Sequence, residues 1–274
     1  NDMYFDEIIE SMKTHPDVIG VMLGGSRANE SHDSTSDYDV YVYTSKKIEE
    51  EDRRRLIHPY VKYMEYSNEF WELEDDGILI DGTDIEFIYR NIDELDHTLT
   101  DIVFNHNAWS GYTTCFWDNL LNSKILYDKD NCLGQLVKKF NIAYPKELQE
   151  NIIYKNSRLL MDYMPSFFYQ LDKAVKRDDL VSVNHRLTEL LASYFDIIFA
   201  LNKTLHPGEK RLIEKTKSLS ILPKDYDNVI RGVLESSGEV LLNRVREMIE
   251  NLYDLLAQKG FTITRSSYTN GSEA

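Results

Sequence analysis

Cysteine is scarce in this sequence, and long hydrophobic runs are lacking. The chain of 274 residues contains 2 cysteines, Cys115 and Cys132. Two cysteines provide neither a disulfide framework nor the spacing of a metal-ligand cluster, so we expect both thiols to be reduced. No apolar run approaches the roughly 18 residues that a membrane-spanning helix needs, and no signal-peptide pattern opens the chain. We therefore expect a cytoplasmic protein that does not enter a membrane.

Basic residues are also in short supply. The chain has 31 lysines and arginines against 47 aspartates and glutamates, which gives a formal charge of −16. Proteins that bind nucleic acid depend on lysine and arginine to neutralise phosphates, so this balance argues against a polynucleotide substrate. A negative field concentrates cations and favours a small or cationic partner, although acidity also serves solubility alone. The length is sufficient for two domains with substantial cores.

The most informative segment is residues 24–42. In it, the Gly-Gly-Ser turn Gly24–Ser26 follows the strand-like run Val18–Leu23, and Asp37-Tyr38-Asp39 opens a second apolar run. A glycine turn exposes backbone N–H groups that can hold phosphate oxygens. Residues i and i+2 of a strand project from the same face, so Asp37 and Asp39 would lie side by side with a cation between them. Oxygen ligands of this kind suit Mg²⁺, and the combination indicates nucleotide chemistry.

A Gly-Ser turn followed about ten residues later by Asp-x-Asp and an apolar strand resembles the DNA-polymerase-β-type nucleotidyltransferase superfamily. The resemblance implies that Gly25 and Ser26, with Arg27 assisting, hold the β- and γ-phosphates of a nucleoside triphosphate. It also implies that Asp37 and Asp39 bind two Mg²⁺ ions and that a third carboxylate lies on a later strand. The competing interpretation is a glycine-rich loop with solvated aspartates. Against this interpretation, the loop between the glycine turn and Asp-x-Asp already contains enough turn residues. A simple turn would therefore not need the Asp-x-Asp motif on the strand.

The third carboxylate is expected in a β-hairpin. Two apolar runs within residues 78–89 flank Asp81-Gly82, which is a strong hairpin signal. In the second strand, Asp84, Glu86 and Arg90 share one face. Either acid is a candidate, and the superfamily pattern of an acid between apolar residues favours Glu86, which in relatives that modify antibiotics is a general base. Asp84 stays the alternative, and Arg90 either contacts phosphate or forms a structural ion pair.

Hydrophobic periodicity predicts an α/β region followed by helices. We predict helices within residues 2–14, 46–58 and 92–105 and strands at 18–23, 39–43, 78–80, 84–89 and 123–128, with 60–66 and 70–73 ambiguous. Amphipathic runs at 148–176, 180–205, 223–234 and 240–256 have short connections, which indicates an antiparallel bundle. Together with the resemblance, this pattern predicts an α/β (α+β) nucleotidyltransferase domain with a mixed sheet over 1–143 and an all-α bundle over 144–261. A loosely ordered tail is predicted over 262–274.

This layout is similar to that of antibiotic nucleotidyltransferases, in which the acceptor lies in the cleft between the two parts. The resemblance implies that a lysine of the helical domain contacts the nucleotide phosphates. Lys210 is the candidate, because Lys210 and Arg211 open a predicted helix where cations are unfavourable for the helix dipole. Asn202 and His206, four residues apart on a predicted helix, are either capping residues or ligand contacts. The absence of an arginine shortly before His206 argues against a nuclease-like helical domain of the toxin–antitoxin type.

The sequence therefore predicts a Mg²⁺-dependent nucleotidyltransferase that moves a nucleoside monophosphate to a small-molecule hydroxyl. By resemblance the donor is ATP, and another nucleoside triphosphate is the alternative. An aminoglycoside or lincosamide is one expected acceptor class, and an ordinary metabolite is the other. Protein nucleotidylylation and a non-catalytic, nucleotide-binding or regulatory relative are competing functions. The three acids Asp37, Asp39 and Glu86 argue against a non-catalytic relative.

Overall fold

A computed structural model describes residues 3–29 and 36–266 of the chain. It divides into two compact units. The sheet unit comprises Asn1–Thr100 and Asn119–Ile142, and the helical unit comprises Asp101–Asp118 and Ala143–Ala274. We retain the domain boundaries predicted at residues 143 and 261 as a proposal. Of the predicted tail, residues 267–274 lie outside the described residues.

The elements of residues 3–140 follow the predicted α/β pattern. The strands are β1 Val18–Gly24, β2 Tyr38–Thr44, β3 Val61–Asn68, β4 Glu74–Leu79, β5 Asp84–Asn91 and β6 Lys124–Asp128. The helices are α1 Met3–Met12, α2 Glu50–Ile57, α3 Ile92–Val103, α4 Cys115–Asn122 and α5 Cys132–Phe140. The two runs left ambiguous, 60–66 and 70–73, precede the predicted hairpin. The first of them forms most of β3.

The sheet has mixed topology, as predicted. Its strand order in the described part of the chain is β3-β4-β5-β2-β1-β6. The strands β2 and β5 are parallel, and each other neighbouring pair is antiparallel. Alternate residues such as Val40 and Phe87 are buried in a core that includes Phe5 and Ile8 of α1. Because side chains alternate along a strand, Asp39 and the neighbours of Phe87 project from the opposite face.

The helical unit contains six helices among the described residues. They are α6 Lys146–Leu160, α7 Phe167–Lys176, α8 Leu180–Leu201, α9 Leu212–Thr216, α10 Tyr226–Leu234 and α11 Gly238–Gln258. The run predicted at 148–176 is two helices, because residues 161–166 interrupt it and Ser166 caps the second by accepting a hydrogen bond from the Tyr169 N–H. The all-α prediction for this region is confirmed. None of the helices in the described ranges combines the length and apolar character that crossing a membrane requires.

The expectation that Asn202 and His206 share a helix face is wrong. The helix α8 ends at Leu201, and the Asn202 side chain donates to the carbonyl oxygens of Ile198 and Ile221 while accepting the Ile221 N–H. These bonds satisfy polar groups at the helix end, so Asn202 has the capping role. His206 lies in the following loop, where it is fully buried.

Candidate active site

Three neighbouring strands of the sheet unit bring acidic residues into one row, and the end of a fourth strand, β1, lies beside them. Gly24 of β1 pairs with Asp39 of β2, and Asp39 pairs with Glu86 of β5. Glu86 in turn pairs with Asp76 of β4. Since residues directly opposite each other in a sheet project to the same side, the three carboxylates share the face that is not packed on α1. The register therefore places Asp39 and Glu86, two of the predicted site residues, next to each other.

The glycine turn lies directly against Asp39. Gly25 opens a single 3-10 turn, Gly25–Ala28, and has a φ of +64°. This left-handed conformation favours glycine. A Cβ atom at Gly25 would also collide with Oδ2 of Asp39. The position thus requires glycine for two independent reasons, and the predicted phosphate-binding turn is in contact with a predicted metal ligand.

We expect Gly25→Ala to reduce nucleotidyl transfer about 100-fold, because a displacement of about 1 Å at a catalytic group has that order of effect. The added methyl group would push the Asp39 carboxylate aside. The matched control is Gly82→Ala, whose φ is also positive, +92°, but whose Cβ would meet nothing nearer than Lys62 Nζ at 3.7 Å. Initial rates and urea unfolding of both variants check the prediction. An equal loss of rate in Gly82→Ala would show that backbone strain alone is responsible.

Tyr38 fixes the chain between the two aspartates of the motif. Its buried ring stacks on Phe5 with centroids 4.0 Å apart, and the Arg27 guanidinium lies 4.0 Å from the ring centroid. Arg27 also donates from Nε to the Ser36 carbonyl oxygen at 2.8 Å. Asp37 is exposed and lies one residue before β2, whereas Asp39 is half-buried within the strand. The two carboxylates therefore have different environments, although they are two residues apart.

Two further acids, Glu74 and Asp76 of β4, were not predicted from the sequence. Carboxylate oxygens of Glu74, Asp76 and Glu86 all lie within 4.8 Å of one another. The pKa of Glu86 rises from 4.5 to about 7, chiefly because of burial, and the negative charges of Glu74, Asp39 and Asp76 raise it further. The signal that could have identified the pair is the alternation of acids at positions 74 and 76 just before the predicted strand at 78–80, since alternate residues of a strand share a face.

The donor set of this cluster fits a hard divalent cation. Every candidate ligand is a carboxylate oxygen, which is the ligand that Mg²⁺ prefers. Burial, and after it the neighbouring negative charges, disfavour the ionised form of Glu86 and raise its pKa, and a cation beside these carboxylates would favour the ionised form. Asp84 is exposed at the start of β5, paired with Ile78, and lies outside the cluster of Glu74, Asp76 and Glu86. Glu86 is therefore the better candidate for the third carboxylate.

Arg90 forms the structural ion pair that was one of its two predicted roles. Its Nε and Nη2 atoms donate to the two carboxylate oxygens of Glu72 at 2.9 and 3.1 Å, and its Nη1 donates to Asn119 Oδ1 at 2.8 Å. A bidentate arginine–carboxylate pair has a fixed geometry. The guanidinium also lies 4.6 Å from the Tyr41 ring centroid, where it covers the sheet face beside the acids.

The remaining predicted residue, Lys210, belongs to the helical unit. It is exposed and lies two residues before α9. The helix α9 has five residues and begins after Arg211, which has a φ of +55°. The expected cation at a helix start is thus present, and its contact with phosphate stays a prediction.

Residues 6–132 match the family model described as "Polymerase beta, Nucleotidyltransferase". The match includes the glycine turn, Asp37, Asp39 and the acids of β4 and β5. Residues 117–212 match a second model, described as "Domain of unknown function (DUF4037)". The N-terminal part of the chain therefore belongs to the polymerase-β-type nucleotidyltransferase superfamily. The predicted class of enzyme, a nucleotidyltransferase, is confirmed.

Two solved structures align with most of the chain at low identity. A nucleotidyltransferase-like protein from Exiguobacterium sibiricum 255-15 has a TM-score of 0.46 at 13% identity, covering 94% of this chain and 75% of that one. An aminoglycoside 6-adenyltransferase from Bacillus subtilis has a TM-score of 0.31 at 13% identity, covering 94% of this chain and 91% of that one. No curated protein matches the sequence. The superfamily thus follows from residues 6–132 and not from these distant alignments.

Proposed function

We propose that this protein transfers a nucleoside monophosphate from a nucleoside triphosphate, in the first place AMP from ATP, to a hydroxyl group of a small molecule. The observation that supports this most is the contact of Gly25 with Asp39 in register with Glu86. A phosphate-binding turn is there joined to an acidic cluster. The Gly-Ser turn followed by Asp-x-Asp is also the pattern from which this function was predicted.

Asp37, Asp39 and Glu86 are the proposed Mg²⁺ ligands, for two ions. When bound, such ions neutralise the triphosphate and stabilise the charge that develops on the transferred phosphoryl group. The backbone N–H groups at Gly25 and the hydroxyl of Ser26 hold the β- and γ-phosphates in this proposal. Arg27 and, from the helical unit, Lys210 are the further proposed phosphate ligands.

In the proposed reaction the acceptor oxygen forms a bond to the α-phosphorus of the nucleotide. The bond from that phosphorus to the oxygen that bridges it to the β-phosphate breaks, and pyrophosphate leaves. The turn Gly25–Ala28 binds the leaving group and orients it. The hydroxyl proton passes to a carboxylate, and Glu86, in register with Asp39 on the same sheet face, is the proposed general base. Completing the metal site is the alternative role of Glu86.

The acidic surroundings of the site support a cationic acceptor such as an aminoglycoside. Glu74 and Asp76 add two carboxylates beside Glu86, and the chain as a whole carries a charge of −16. A field of this sign attracts cations and repels polynucleotides. Because Glu74 and Asp76 lie on the same sheet face as Asp39, they would attract a cationic acceptor to the reacting groups.

Incubation with α-labelled ATP and Mg²⁺ tests the proposal, with a panel of aminoglycosides in one arm and a cell lysate in the other. We expect label on a small molecule and loss of that label in Asp37→Asn. Label on a protein would instead establish protein nucleotidylylation. Binding of ATP without transfer in either arm, unchanged in Asp37→Asn, would indicate the non-catalytic relative and overturn the proposal. Parallel reactions with labelled GTP, CTP and UTP determine which base is accepted.

A further inference from the structure

A basic, open cavity lies at the surface of the helical unit, where its α6 side chains are exposed. Its volume is about 390 Å³, and it is bounded by residues 106–108 and by Asn151, Tyr154, Lys155 and Arg158 of α6. Residues at positions i, i+3, i+4 and i+7 share one face of a helix, so the four α6 side chains form one wall. The volume falls in the range of small-molecule sites.

The opposite wall of the cavity is fixed by hydrogen bonds to α6. Backbone carbonyl oxygens of the segment accept bonds from α6 side chains: His106 from Asn151 at 2.7 Å, Ala108 from Lys155 at 3.1 Å, and Trp109 from Asn156 at 3.0 Å. His106 itself has a φ of +61°, which turns the chain sharply at the cavity. The backbone of this wall is thus held in place by the fold, and a ligand would have to order the exposed side chains of Lys155 and Arg158.

The cations of this cavity lack acidic partners. Within residues 3–29 and 36–266, neither Lys155 nor Arg158 forms an ion pair with a carboxylate, and no acidic residue lines the cavity. Arg158 instead lies over the Tyr163 ring, 5.0 Å from its centroid. The nearby acids Glu150 and Asp162 are paired elsewhere, with Lys146 and Arg265 respectively. In a chain of charge −16, two unpaired cations that face one cavity form a local positive site.

We propose that this cavity binds the phosphate group of a small phosphorylated molecule. The planar guanidinium of Arg158 matches two phosphate oxygens at once. Lys155 keeps two N–H donors after its bond to Ala108, and the His106 ring offers another. Uncharged polar ligands would not use both cations, and cationic ligands would be repelled. The proposal does not rest on the function proposed for the sheet unit.

Titration calorimetry of the full chain with inorganic pyrophosphate, without divalent cations, tests this site. Omitting the cation prevents binding at the acidic cluster, whose carboxylates then repel the probe. We expect wild type to bind, and Arg158→Gln to raise Kd at least about tenfold, since a charge-assisted contact of about 1.4 kcal/mol or more is lost. Arg246→Gln is the matched control, because Arg246 also lies over an aromatic ring, that of Phe168 at 4.8 Å, but outside the cavity. We expect it to bind as wild type does.

Two results would overturn the proposal: no binding by wild type, or equal Kd values in Arg158→Gln and wild type. A second titration, of protein already saturated with a non-hydrolysable ATP analogue and Mg²⁺ so that the donor site is occupied, identifies the source of the phosphate. Mutually exclusive binding would show that the cavity holds phosphates of the donor nucleotide. Simultaneous binding would show that it holds a different phosphorylated molecule. Circular dichroism of Arg158→Gln confirms that the variant is folded, so that a loss of binding is attributable to the cavity.

Discussion

Replacing Asp39 by asparagine is expected to reduce nucleotidyl transfer at least about 1,000-fold, the rate equivalent of the several kcal/mol that metal-assisted charge stabilisation supplies. The asparagine would keep the shape of the side chain and one oxygen but lose the negative charge. That charge lies between the glycine turn at Gly25 and the Glu86 carboxylate. Asp39→Asn therefore removes the group that connects the phosphate-binding turn to the acidic cluster. The initial rate of label transfer from ATP measures the effect.

Asp84→Asn is the matched control for this substitution. Asp84 lies on β5 two residues before Glu86, but it is exposed and outside the carboxylate cluster. We expect its rate to stay close to that of wild type. A loss in Asp84→Asn as large as in Asp39→Asn, with Glu86→Gln active, would make Asp84 the third carboxylate and contradict the assignment of Glu86. Partial recovery of Asp39→Asn at high Mg²⁺ concentration would locate the defect in cation affinity.

The parts of the candidate site whose local structure was predicted from the sequence are those encoded by local patterns. The glycine turn and Asp39 are joined to apolar strands, and Asp81-Gly82 set the hairpin that carries Glu86. Strand periodicity then decides which side chains face away from the core. Their register across β2 and β5 required knowing that these strands are parallel neighbours, which no local pattern specifies.

The end of β4 overlaps the strand predicted at 78–80, but its first half was missed because the burial of Asp75 depends on a distant partner. Its sequence Glu-Asp-Asp-Gly has low β-propensity and is typical of a loop. Asp75 is nevertheless fully buried, since Arg53 of α2, 22 residues earlier, supplies the compensating charge. A carboxylate can be buried when it is paired, and the pairing is a tertiary property. The alternation of Glu74 and Asp76 alone therefore did not distinguish a strand from an acidic loop.

The same ion pair gives the largest expected effect on stability. Arg53→Met should lower the free energy of unfolding by about 3–5 kcal/mol, because removing one partner of a buried pair leaves an uncompensated charge. The side chains of Arg53 and Asp75 are 1% and 0% exposed, with Nε and Oδ2 2.9 Å apart. Urea unfolding measures the loss. Arg55→Met, on the same helix but 66% exposed in its ion pair with Asp52, should cost less than about 1 kcal/mol.

Replacing both partners separates the charge from the packing. Asp75 accepts the Ser67 N–H at Oδ1 (2.9 Å) and the Tyr89 hydroxyl at Oδ2 (2.8 Å). In Arg53→Met with Asp75→Asn, the asparagine Oδ1 can still accept the Ser67 N–H, and the amide NH2 that replaces Oδ2 can donate to the Tyr89 hydroxyl oxygen. Since no buried charge is left, we expect this double variant to recover most of the stability lost in Arg53→Met. Equal destabilisation in the single and double variants would show that the packing of Arg53, not its charge, is what matters. Because Asp75 lies between Glu74 and Asp76, a double variant that is stable but slow in transfer would show that the buried pair also orients the acids of the site.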